Sequence, residues 1–182
     1  QAYEAFEKFL KDISAIFFQE NQGLAEAKRV AKFESDKKSS NLTKTDIAFW
    51  RGYIDYHYPT NAEKLKLLRK MCPDIPMAEK KNNRVVDLTE WFTVVKEVRD
   101  AATHSDFTIG ASRMKNWSQS RRNMLKEFFS GDFANHEYKL NTASKDAEYC
   151  LQLFSEYSFQ IYKFLSISRG YDWGILQRKS EE

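Results

Sequence analysis

The chain is poor in the residues that build metal centres and covalent scaffolds. Its 182 residues include two cysteines, Cys72 and Cys150, and three histidines, His57, His104 and His136. None of these falls at the close ligand spacings of a zinc site, so no metal and no cofactor is expected. The cysteines permit one bridge but nothing requires it, and reduced thiols in an intracellular protein are the simpler expectation. A glycine-rich phosphate loop and a nucleophile elbow are both missing. No stretch approaches the roughly 20 apolar residues that cross a bilayer. Gln1 to Asn21 is charged and amphipathic throughout, without the continuous apolar core of a signal peptide. The expected location is the cytoplasm, with no membrane contact.

What is present argues for a folded, helical protein. Hydrophobic residues make up 42% of the chain and aromatic ones 15%, too many for disorder. The 14 phenylalanines fall mostly in segments with helical spacing. The length suits one ordinary domain able to bury a core unaided. The expected architecture is therefore a single all-α domain over 1–182, a compact helical bundle ending in a short charged tail at 171–182. A net charge of +3 permits contact with a polyanion without demanding it.

Periodicity and caps place the helices. Phe6, Phe9, Leu10, Ile13, Ile16 and Phe17 give one apolar face over Gln1–Glu20. Leu24–Phe33 is a shorter stretch, followed by a charged run from Glu34 to Ser40. Thr43 or Thr45 caps a helix that Pro59 ends near Tyr58. Thr60 and Glu63 have capping-box spacing and open a helix to about Lys70. Pro73 and Pro76 frame a connection. Asp87 caps the best-defined helix, to about Thr103, with Glu90 returning to the cap amide. Its stripe is Leu88, Trp91, Phe92, Val95, Val98 and Ala102. Ser105–Asn116 is broken, and Trp117–Phe129 is helical again. In 131–141, Tyr138 and Leu140 alternate like a short strand or extended loop. A long helix then begins near Thr142 or Ser144 and ends near Gly170.

The chemistry that stands out is Arg99-Asp100-Ala101-Ala102-Thr103-His104. Arginine holds a phosphate in a planar fork, and histidine moves protons near neutral pH. On an ideal helix, at about 100° per residue, Arg99 sits near +80° from Trp91 and His104 near −140°. An unbroken helix thus turns them roughly 140° apart. They meet on one phosphate if the helix unwinds before His104, or if a two-fold axis brings in a second copy. Asp100 and His104 are i,i+4 neighbours, spaced to hydrogen-bond. A purely structural reading stands beside this, with Arg99 and His104 balancing the negative end of the helix dipole.

Leu88 to Asp106, LTEWFTVVKEVRDAATHSD, resembles the signature helix of HEPN domains, in which an arginine, usually followed by a polar residue, precedes a histidine by about four to six intervening positions. Arg99 matches the arginine and His104 the histidine, with four residues between, while Asp100 stands where asparagine is most familiar. The layout of long helices, with the motif at the end of an internal one, is also similar. The resemblance implies a HEPN-like bundle that dimerises with facing motifs. Many members are metal-independent RNases of toxin–antitoxin or antiviral defence systems, and others are non-catalytic binding modules. It implies that His104 is the general acid or base, that Arg99 stabilises phosphoryl charge, and that Asp100 orients the pair. RNA is the implied substrate, a homodimer the implied assembly, and an antitoxin or regulatory protein a further partner.

Arg113, Lys115, Arg121, Arg122 and Lys126, with Trp117 among them, follow the motif and offer an RNA groove with one stacking surface. A solvated helix face explains them equally well. Arg69, Lys70, Lys80, Lys81 and Arg84 read as loop surface, and His57 and His136 as packed or capping residues.

Overall fold

The first helix, α1 (Ala2–Glu20), buries Phe6, Leu10 and Phe17 of the face its spacing predicts, but the buried side is rotated towards Ser14, Ala15 and Phe18, leaving Phe9 and Ile13 half-buried and Ile16 exposed. In this computed structural model, which describes residues 1–36, 41–141 and 144–174, the chain forms two compact units. One comprises Gln1–Ile75 and the chain from Ile161 onward; the other is Pro76–Gln160.

In the first unit a 3₁₀ turn (Gln22–Leu24) leads to α2 (Ala27–Asp36), then α3 (Ile47–His57) and α4 (Asn61–Met71). α1 packs against α3 and α4. The core is aromatic: Phe18 stacks on Trp50 at 5.8 Å, and Phe33 meets Phe49 and Tyr53 edge-on at 5.2 and 5.9 Å. Such pairs add to the burial of their large surfaces. Gly52 lets the Phe33 ring come close, since a Cβ there would lie 3.0 Å from its Cζ. The Thr60 capping box is formed in both directions. The α3 cap is Asp46, not Thr43 or Thr45, and it offers no side-chain cap bond. Its carboxylate instead accepts the Thr43 amide and hydroxyl, each at 2.8 Å, which lowers the Asp46 pKa.

The second unit holds most of α5 (Ile75–Lys80), all of α6 (Leu88–His104), a short helix α7 (Ala111–Met114) and α8 (Gln119–Phe128). α9 (Ser144–Ser168) runs through it and continues into the first unit. α5 forms where a connection was expected, because Pro76 sits in the first turn, where no amide donor is required. Trp91 meets Phe154 edge-on at 4.9 Å, and Phe92 meets Tyr157 at 6.2 Å. The expected caps of α9, Thr142 and the Ser144 side chain, lie outside the described residues, as do 37–40 of the charged run and 175–182 of the tail.

The all-α expectation is corrected by a small antiparallel sheet on a mostly helical fold. β1 (Thr108–Ile109), β2 (Gly131–Ala134) and β3 (Glu137–Leu140) lie in the order β1-β3-β2. The alternation of Tyr138 and Leu140 is real: both are buried and their neighbours exposed. β2 and β3 join through Asn135 and His136, both at positive φ (50° and 66°). Two left-handed residues in a two-residue loop match the strand twist, and asparagine tolerates that conformation well. Tyr138 crosses Gly131, where a Cβ would lie 2.7 Å from its ring, and donates its hydroxyl to the Phe129 carbonyl at 2.6 Å. This clamps the hairpin to the end of α8. Among the described residues no helix is long and apolar enough to cross a membrane.

Candidate functional site

The motif sits on a helix whose beginning is fixed. Asp87 accepts the amides of Thr89 and Glu90 at 3.0 Å each, and Leu88, Trp91, Phe92, Val94 and Val95 are buried. The capping box fails here because the Glu90 carboxylate is held elsewhere. It accepts Nε and Nη2 of Arg121, both at 3.2 Å, and so ties α6 to α8.

The last turns of α6 are open to solvent. Arg99, Ala102, Thr103 and His104 are exposed, Val98 and Asp100 partly so, while Ala101 is buried. Ala102 was expected in the buried stripe; Ala101 takes the inward place because the core covers the other side of the final turn.

Of the two arrangements that would join Arg99 and His104, unwinding of the helix before His104 does not occur. His104 is the last helical residue, and the Ser105 amide still bonds the Ala101 carbonyl at 3.1 Å. The same carbonyl receives the Phe107 amide at 3.1 Å. Asp106 and Phe107 then pass through the left-handed region at φ 45° and 58°. For a bulky residue such as Phe107 this costs on the order of 1 kcal/mol. The strain is held by pairing, since the Phe107 carbonyl accepts the Leu140 amide at 2.8 Å as the chain enters β1.

Arg99 and His104 are therefore not brought to one face within a single chain. Lys96, Asp100 and Thr103 lie between them, within about 30° of the midline of the intervening arc. Asp100 does not orient His104. Its carboxylate accepts Arg99 Nη1 at 3.1 Å and lies 3.8 Å from Lys96 Nζ. Thr103 donates to the Arg99 carbonyl at 2.9 Å. The His104 imidazole has no hydrogen-bond partner among the described residues.

The basic residues after the motif divide by what they touch. Arg121 is spent on Glu90, and Arg113 reaches Glu97 on α6 at 3.4 Å. Both stitch neighbouring segments onto α6. Trp117 is half-buried. Arg122 donates to the Met114 carbonyl at 2.6 Å, closing the end of α7. Lys126 sets its ammonium 5.0 Å from the Phe133 ring centre. Lys115 and Arg122 line an open cleft of about 510 Å³ with Ser112, Phe133, Asn135 and His136.

His136 is thus exposed at the hairpin tip, not packed. The sequence signal that could have found it is the Asn135-His136 pair between Phe133 and Tyr138, which fits a tight hairpin. His57 is packed as expected, against Tyr53 at 4.7 Å, with Nε2 3.0 Å from the Arg29 carbonyl. Among the described residues no cluster of histidine, cysteine or carboxylate side chains is arranged to hold a metal ion. Both cysteines are free.

No protein-family model, no curated protein and no solved structure matches this chain.

Proposed function

We propose that the chain is a HEPN-like, metal-independent endoribonuclease of a toxin or defence system, acting in the cytoplasm as a homodimer with a composite site. What supports the reading is the position of Arg99 and His104 on opposite rims of one exposed polar face, on a helix anchored in the core. A two-fold axis running roughly along α6 above that face sets each Arg99 on the same rim as the partner's His104. The two Cα atoms are then offset along the helix by about 7.5 Å, five residues at 1.5 Å each, a span that an extended arginine covers.

In such a site the RNA 2′-hydroxyl oxygen attacks the adjacent phosphorus as the bond to the 5′ oxygen breaks. The products are a 2′,3′-cyclic phosphate and a 5′-hydroxyl. His104 serves as the general base for the 2′ proton or the acid for the 5′ oxygen, and Arg99 stabilises charge on the non-bridging oxygens. A second reading, a non-catalytic RNA-binding or protein-interaction scaffold, draws on the Arg99–Asp100 contact, which sets a carboxylate where a phosphate would approach.

Incubation with mixed cellular RNA in chelator separates these readings. Cleavage to cyclic-phosphate ends, absent in Arg99→Ala and His104→Ala proteins, is the expected result. RNA binding without turnover selects the scaffold. Identical products from wild type and variants would end the enzyme claim.

A further inference from the structure

The cleft between α7, α8 and the β2–β3 hairpin has the chemistry of a nucleotide site. Its charged lining residues, Lys115 and Arg122, are both cationic, and no carboxylate lines it. Ser112, Asn135 and His136 add polar groups, and Phe133, a residue 39% exposed, adds a ring over which Lys126 sets its ammonium at 5.0 Å. Arg122 and Phe133 are held in place before any ligand arrives, while Lys115 is exposed. Arg122 spends one donor on the Met114 carbonyl at 2.6 Å, which orients a guanidinium that has four N–H groups left. Phe133 pairs across the hairpin with Tyr138, ring centres 4.7 Å apart, and Tyr138 is pinned to the Phe129 carbonyl. Asn135 and His136 occupy the two left-handed positions of the turn.

We infer that this cleft binds a nucleotide unit, its phosphate on Lys115 and Arg122 and its base against Phe133. Cations that track the backbone beside a ring on which a base stacks are the usual means of holding a single strand without reading its sequence. Such a site deepens the RNA reading and rests on it only for the natural ligand; a free mononucleotide offers the same chemistry.

The test is an NMR titration of the intact chain with adenosine 5′-monophosphate, adenosine and inorganic phosphate, followed by binding of a fluorescent hexaadenylate. The His136 and Phe133 ring signals should move with the monophosphate, and less with either half of it. Lys115→Gln should weaken hexaadenylate about tenfold and flatten its salt dependence. Phe133→Leu should weaken it without changing that slope. Hexaadenylate binding at least tenfold tighter than the monophosphate assigns the site to RNA, and equal affinity assigns it to a free nucleotide. Either result upholds the nucleotide chemistry. Unmoved ring signals, or wild-type affinity in both folded variants, overturns it. The cleavage assay is independent: cleavage without cleft shifts sinks this site alone, and cleft shifts without cleavage sink the nuclease alone.

Discussion

The guanidinium of Arg99 donates to the carboxylate of its own neighbour, Asp100, across 3.1 Å. With Lys96 Nζ 3.8 Å from the same carboxylate, Asp100 draws two cations inward on the exposed face of α6. An amide at that position would keep a hydrogen-bond acceptor but lose the charge. Asp100→Asn is therefore expected to raise RNA cleavage about fivefold, the equivalent of about 1 kcal/mol for an exposed pair. The gain should shrink at high salt. Steady-state kinetics on a labelled RNA at two ionic strengths provide the check, and a loss of activity would give the carboxylate a catalytic part.

Arg121 makes a different prediction, because its fork is closed on Glu90. Arg121→Ala should lower stability by roughly 1 kcal/mol, the upper end for a partly exposed pair with bidentate geometry. It should leave the salt dependence of RNA binding unchanged. Denaturant unfolding combined with a Glu90→Ala double-mutant cycle measures the coupling.

How legible these features were depended on how local their causes are. The Thr60–Glu63 box and the Asp87 cap involve residues within one turn, and both were readable from spacing alone. The buried alternation of Tyr138 and Leu140 was equally visible. Asp46 could not be separated from Thr43 and Thr45, since all three are good caps and the Thr43–Asp46 bonds decide among them. The two-residue β1 is too short to carry a period. At the site, the end of α6 and the exposure of Arg99 and His104 followed from the sequence. Which basic residues stay open did not, because Glu90 and Glu97 claim Arg121 and Arg113 across long separations.

The hairpin that frames the cleft hangs on Tyr138 and Gly131. Tyr138→Phe leaves the Phe129 carbonyl without its buried donor and should cost about 1 to 3 kcal/mol. Gly131→Ala should cost at least as much, because its Cβ would lie 2.4 Å from the Lys139 carbonyl oxygen. Both variants should accelerate amide exchange in β2 and β3 before the rest of the unit opens. Uniform exchange changes would show that the hairpin is not a separate cooperative element.

Alkaline pH should weaken the fold through one buried group, Tyr53, and one half-buried group, Cys150. Burial pushes Tyr53 from an ordinary 10.0 to about 12. Burial, helped by Asp146, pushes Cys150 from 9.0 to about 12. Below about pH 8 both are protonated folded or unfolded, so neither contributes a slope. Above it the unfolded chain loses protons that the folded chain keeps, and stability falls as pH rises towards 12 at up to about 1.4 kcal/mol per unit for each group. The Tyr53 hydroxyl has no hydrogen-bond partner among the described residues. Tyr53→Phe should therefore be neutral or stabilising at pH 7 and should remove part of the alkaline slope. Thermal midpoints from pH 8 to 11 test this, and a Cys150 that alkylates rapidly in the native protein at pH 8 would contradict its raised pKa.

The composite site makes the sharpest demand. α6 stays helical through His104, so one chain turns Arg99 and His104 to different sides. If each site takes its arginine from one copy and its histidine from the other, mixing Arg99→Ala chains with His104→Ala chains rebuilds one intact site in every mixed dimer. Half of the dimers are mixed after free exchange, and each carries one working site of two, so activity should return to about a quarter of wild type. Each variant alone should remain inactive. Sites built within single chains would give no recovery, since every chain in the mixture lacks one group. Cleavage of a labelled RNA before and after subunit exchange reads this directly, with native mass spectrometry of a mass-labelled variant, which counts the mixed dimers, as the control for exchange itself. A mixture that stays inactive while that control shows exchange would rule out the two-fold arrangement.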